Sequence, residues 1–291
     1  MTQASNLFPA AEAGFRTIHP RTRVKRSRIS RWYRRHERAV LGASGVIGFF
    51  LLWQLGAWLG VIDPFFFSSP IAVIVAGIGD VQTAGFWADT KVSFYELLIG
   101  SVLSLGLAIP LGILIGWYQR LMWAVDPWLN FFNALPRIAM LPLVILWVGL
   151  GVEMKIFIVF LGGFFSIIMP TVEGVRTVDR QFLDVARSFR APPRLLLASI
   201  VVPATIPFIV TGIRLAVGRM LIGVIVAELF AQTEGLGVMI ARAEAALRSD
   251  QMMFGILIFT VAGILTTEAV GVLERYFQRW RPSTEEVEEG M

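Results

Sequence analysis

The sequence predicts an all-α integral membrane protein with six transmembrane helices, on three observations. Hydrophobic residues make up 56% of the 291 residues and charged residues only 16%, against about half and about a quarter in ordinary soluble domains. The excess is gathered into long apolar blocks rather than alternating strand patterns. The arginines cluster at the ends of those blocks, where loop charge sets membrane topology.

The same placements exclude other classes. A net charge of +5 would fit a nucleic-acid binder, but arginines at block ends serve topology rather than a phosphate footprint. With no cysteine there is no disulfide, thiolate nucleophile or Cys-based metal site. His19 and His36 both lie in the basic N-terminal arm, so no haem, zinc site or histidine relay is expected in the membrane. None of Lys25, Lys91 and Lys155 completes a GxxxxGK[ST] phosphate loop. The chain is expected to bind no cofactor and to catalyse no reaction; if ATP drives it, another chain must bind the nucleotide.

In chain order, residues 1–39 form an arginine-rich arm with no apolar stretch and small-residue cleavage site of a signal peptide. The positive-inside rule keeps this arm in the cytoplasm. Six spans are expected near 41–62, 92–118, 132–151, 153–175, 205–230 and 252–274, each close to the ~20 residues that cross a ~30 Å hydrocarbon core. Prolines at 110, 136, 142, 170 and 207 are tolerable where neighbouring helices satisfy the freed carbonyls. The third and fourth spans meet at a very short turn, Leu150–Glu153. In the 63–91 loop, the apolar run 71–78 is too short to span and reads as an interfacial or re-entrant helix. The membrane domain is thus 40–275 (core about 85–275, loop 176–203), followed by a tail, 276–291, that ends in an acidic run.

Arg120, the arginines of 176–194, and Arg275, Arg279 and Arg281 all fall on the side of the N-terminal arm. The opposite loops, 63–91 and 231–251, are poorer in arginine. Both termini are therefore expected in the cytoplasm, in agreement with an even number of spans.

The loop between the fourth and fifth spans is the most informative stretch. Residues 181–189 predict a short helix with Phe182, Val185, Ala186 and Phe189 on one face. Asp184, Arg187 and Ser188 occupy the other. Pro192-Pro193 stops it, and Arg194 to Val202 predicts a second amphipathic helix leading into the fifth span. An exposed apolar stripe on a short loop helix reads equally as a docking surface or as a face packed on its own membrane domain.

This loop resembles the EAA loop of ABC importer permeases, whose pattern is E-A-A, three residues, G, nine residues, I-x-L-P. Asp184-Val185-Ala186 fall on the first triplet, Arg190 on the glycine, and Ile200, Val202 and Pro203 on the closing motif. A left-handed arginine costs about 1–2 kcal/mol, so 191–193 are expected to make the turn in another way. Stretches 133–151, 211–228 and 273–280 are similar to signatures of nitrate/sulfonate/taurine-type permeases, and the resemblance runs from about 41 to 281. Tyr95-Glu96 departs from it, standing where that family is expected to carry an arginine. The resemblance implies a type I ABC importer permease fold in a bacterial inner (plasma) membrane. The implied partners are a second copy of the permease, two ABC ATPase subunits that bind ATP and Mg, an external binding protein, and membrane lipid. It also implies that Phe182, Asp184, Val185, Ala186, Arg187, Ser188, Phe189 and Arg190 form the ATPase-coupling segment. The solute would be a small organic anion or oxoanion. An ion-coupled secondary transporter is the alternative, but the chain shows no evident inverted repeat with paired broken helices.

Ionisable residues inside spans are costly and read as functional first. Glu96, Arg137, Arg214, Arg219 and Glu228 are the candidate pathway residues. Arg214 lies roughly 13 Å into the fifth span at 1.5 Å per residue, Arg219 nearer the middle and Glu228 near the outer end. At 100° per residue 214 and 228 share a face while 219 and 228 oppose, so one helix cannot aim all three at a pore. Glu96 and Arg137 sit near span ends, where snorkelling is cheap. Glu268, beside Thr266 and Thr267, suggests an interhelical hydrogen-bonding cluster.

Overall fold

The computed structural model describes residues 28–278, which are helical throughout apart from short turns, with no strand among them. The chain divides into two units, residues up to Leu52 and residues from Trp53 onward. The described part of the first unit belongs to helix α1 (Arg28–Trp58), which is interrupted by non-helical backbone at His36. Its 41–52 stretch presents exposed Leu41, Val46, Ile47 and Leu51. Most of the predicted basic arm and the acidic tail lie outside the described residues.

In the second unit, two short helices precede the core. Asp63 caps α2 (Pro64–Phe67) and Ser69 caps α3 (Pro70–Val81), each of which opens on a proline that needs no hydrogen-bond donor there. The apolar run at 71–78 is thus part of a genuine helix, which buries Val73 and Gly77 and packs on the last helix through Gly77 and Phe254. Helix α4 (Ala84–Trp117) follows. It begins eight residues ahead of the expected span, where the Thr83 hydroxyl caps it by accepting from the Phe86 N–H.

The third span departs from expectation. Instead of one helix over 132–151 there are α5 (Gln119–Ala134), a 3₁₀ turn (Arg137–Met140) and α6 (Leu141–Val148), with an 88° bend between the two halves. Pro136 is the cause. It forces Leu135 into extended backbone (φ −63°, ψ 131°), as a residue before proline must be. Gly149, at φ +87°, then turns the chain into α7 (Val152–Arg176).

After α7 come α8 (Arg180–Ser188) and α9 (Pro193–Leu196). A π-helical stretch, Leu197–Val201, joins α9 to α10 (Val202–Ala231). Pro203 has no N–H for the helical ladder, and the widened turn absorbs that loss. The second amphipathic helix is therefore the first part of the fifth span, not a separate element. Helices α11 (Leu236–Ala245) and α12 (Ser249–Gln278) complete the chain. Five helices are long and apolar enough to cross a membrane, and six spans result if the bent pair counts as one.

The core is α4, α7 and α10, and small residues bring them together. A Cβ on Gly100, Gly112 or Gly116 of α4 would collide with Val159, Thr171 or Val175 of α7, so these two helices run parallel. On the other side of α7, Gly162 meets Arg219 and Gly174 meets Phe208, so α10 runs antiparallel. Close approach through small residues is the usual packing of membrane helices. Because α4 and α7 are parallel, the bent segment between them has to return from one end of the bundle to the other. Helix α8 lies at the end where α4 and α7 finish, and α11 at the opposite end.

Candidate functional site

At the α8 end, Asp179 caps the helix by accepting from the Gln181 N–H at 2.8 Å. The C-terminus closes in a Schellman motif: the Arg190 N–H donates to Arg187 O at 2.8 Å and the Ala191 N–H to Ala186 O at 3.1 Å. Arg190 stands at φ +57°. The expectation that 191–193 would turn the chain in another way is therefore corrected. Two main-chain hydrogen bonds satisfy carbonyls that the helix end leaves open, and this offsets the cost of a left-handed arginine. Pro192 and Pro193 only stop the helix and start the next.

The faces of α8 differ sharply. Phe182, Val185 and Phe189 are 65%, 58% and 84% exposed. Leu183 instead turns inward, toward a polar pocket it shares with Trp117, Arg176, Arg180 and Arg187. Asp184 and Arg187 are held together, Oδ1 to Nη1 at 2.9 Å, with both side chains mostly exposed. Ala186 is half-buried and Ser188 is exposed, its hydroxyl donating to Asp184 O.

Between α7, α10 and the 133–141 bend lies a cleft of about 330 Å³. Its walls are mostly aliphatic, from Ile138, Leu141, Ile158, Ile222 and Val226, and Arg219 is its charged member. Arg219 is exposed and donates from Nη1 to Ser166 Oγ at 3.0 Å, while the Ser166 hydroxyl donates to Gly162 O. A guanidinium at this depth in a membrane helix has to face water or protein rather than lipid. Arg137 follows the bend directly; its side chain lies outside the described residues.

The structure sends the other candidates elsewhere. Arg214 pairs with Glu274 of α12 at 2.5 Å. Glu228 is fully buried, accepting from the Ser93 hydroxyl and the Gly237 N–H. Arg214 and Glu228 share a side of α10 but lie four turns apart, so each meets a different neighbour. Glu96 does not snorkel. It is fully buried and pairs with Lys155 Nζ at 2.7 Å, because α4 starts early and carries it well inside. Thr266 likewise does not reach another helix, since its hydroxyl donates to Ala262 O in its own helix. Glu268 and Thr267 line an apolar groove between α10 and α12.

Sequence reasoning missed Lys155, Asp89, Ser93 and Ser166. A signal existed for the first: Lys155 stands just inside an apolar span, where a buried ammonium requires a carboxylate from another helix. Removing one partner of such a pair costs about 3–5 kcal/mol. The identity of the carboxylate could not be read from the chain, because Glu96 and Lys155 meet only through the parallel packing of α4 and α7.

The family described as binding-protein-dependent transport system inner membrane component matches residues 108–281. Among curated relatives, the putative aliphatic sulfonates transport permease protein SsuC of Bacillus subtilis is 33% identical over 80% of this chain and 85% of its own. The taurine transport system permease protein TauC of Escherichia coli is 28% identical over 87% and 94%. The formylaminopyrimidine transport permease protein ThiX of Halalkalibacterium halodurans is 31% identical over 79% and 92%. A chain of the methionine ABC transporter MetNI, solved in inward-facing conformations, aligns over 70% of this chain and 96% of its own, with a TM-score of 0.51 and 17% identity. That likeness establishes the type I importer permease fold.

Proposed function

Because the chain belongs to the family of binding-protein-dependent transport system inner membrane components, we propose that it is the translocating subunit of an ATP-driven importer for a small organic anion of the alkanesulfonate class. In this reading an external binding protein delivers the solute. A second copy of the chain completes the pathway. Two ATPase subunits bind ATP and Mg and dock on α8, with both termini of this chain in the cytoplasm.

The observation that carries the reading is the α8 surface. An amphipathic helix that leaves Phe182, Val185 and Phe189 uncovered, on a loop between two core spans, favours a docking partner over packing on its own domain. Its link to the core is mechanical: α8 follows the end of α7 directly and reaches α10 through the π-helical stretch, so a push on it acts on both helices that wall the cleft. Arg219 in an aliphatic cleft suits an anion with a short apolar body. Sulfonate-named relatives point the same way, and the formylaminopyrimidine relative offers a competing solute to test.

The experiment is reconstitution of the full chain with its ATPase and binding protein in proteoliposomes. ATP-dependent uptake of a short alkanesulfonate, lost when the ATPase is omitted, supports the importer. Uptake that persists without the ATPase and follows an ion gradient would establish the secondary transporter instead.

A further inference from the structure

Four consecutive residues at the start of α11, Glu234 to Gly237, have their main chain captured by side chains from three different helices. Lys155 Nζ of α7 donates to Glu234 O at 2.7 Å. The Gly235 N–H donates to Asp89 Oδ1 at 3.0 Å and the Leu236 N–H to Ser93 Oγ at 2.9 Å, both on α4. The Gly237 N–H donates to Glu228 Oε2 of α10 at 2.6 Å. Gly235 adopts φ +127°, and a Cβ there would collide with the Glu228 carboxylate, so only glycine fits this seat.

One of the four captures is made by an ammonium that needs a counter-charge. Glu96, Lys155 and Glu228 are all fully buried, and Glu96 Oε2 has no hydrogen-bond partner among the described residues. Lys155 thus carries the charge balance of Glu96 while also holding the turn. Ile158 lies one turn along α7 from Lys155, and Val226 lies two residues from Glu228; both wall the cleft. Replacing a buried ion pair by apolar residues is often neutral for stability, so such a pair is better explained by the single arrangement it specifies.

We infer that Lys155, paired with Glu96, is the fastening that holds the 232–247 segment against the transport core beside the cleft. Lys155 is a positioning residue and not a solute ligand, since a side chain with no exposure cannot meet a solute. The inference rests on the proposed function only in treating the cleft as a pathway.

The chain contains no cysteine, so Ala243→Cys, at a buried position of α11, reports undocking of the segment. In full-length protein in nanodiscs, with both faces open to a hydrophilic maleimide, this cysteine should label slowly. Lys155→Met should accelerate labelling at least tenfold. Lys155→Met/Glu96→Gln, which restores charge balance without restoring the contact to Glu234 O, should stay at least tenfold faster than the parent. Unchanged labelling in Lys155→Met, or a double variant back to within about threefold of the parent, would overturn the inference. If Lys155→Met does not accumulate, the double variant, which has no unpaired Glu96 carboxylate, takes its place, and slow labelling or failure to accumulate in it refutes the inference. The measurement uses neither ATPase nor solute, so loss of the importer reading would leave its outcome intact.

Discussion

Arg219 reaches across the cleft wall to Ser166, Nη1 to Oγ at 3.0 Å, and so ties α10 to α7 halfway along their contact. The bond leaves most of a guanidinium's five donors uncommitted on a side chain that stays exposed.

Those donors set the first expectation. Arg219→Lys keeps a charge in the cleft and should retain part of the transport, whereas Arg219→Ala should abolish it with the protein still inserted and assembled. Uptake assays alongside membrane abundance decide the matter. Failure of both variants to accumulate would assign Arg219 to structure.

The second expectation concerns α8. Burying a phenylalanine side chain is worth about 1.5–3 kcal/mol, so Phe189→Ala should weaken ATPase docking by about tenfold or more. Solute transport and stimulated ATP hydrolysis should fall together. Asp184→Lys should do similar damage if the carboxylate meets a basic group of the partner. Loss of its exposed pair with Arg187 would contribute little, as surface pairs are worth about 0–1 kcal/mol. Purified Phe189→Ala complexes with unchanged ATPase stoichiometry and transport rate would refute the docking assignment.

Arg190 supplies a third. Its left-handed backbone costs about 1–2 kcal/mol in an arginine, and glycine removes most of that cost. Arg190→Gly should slow hydrogen exchange at the Ala191 amide about fivefold, a change of about 1 kcal/mol. Arg190→Val should speed it, because a β-branched residue fits this conformation poorly.

Topology gives the fourth. Glu244→Cys and Leu247→Cys are at exposed positions of the α11 segment and should react with an impermeant maleimide in intact cells. Ser188→Cys and Arg190→Cys, at the opposite end of the bundle, should react only after permeabilisation. External labelling of α8 would reverse the proposed orientation.

Residue pattern alone was enough for the helical membrane class, for the spans that are single helices, and for the amphipathic character of 180–188. These properties are local: a run of about 20 apolar residues has no soluble alternative, and a 3.6-residue period shows on its own chain. The family was also legible, through the spacing from Asp184 to Pro203. What needed the structure was how two local breaks resolve and which distant residues meet. Arg190 could take a left-handed turn because Arg187 O and Ala186 O were positioned to receive two amides. Pro136 split the third span, a break that its apolar composition concealed. Glu96 and Lys155 read separately as an edge carboxylate and a lysine that completes no phosphate loop. They became a buried pair because glycines on α4 let it lie parallel and close to α7, where desolvation leaves two opposite charges no better partner than each other.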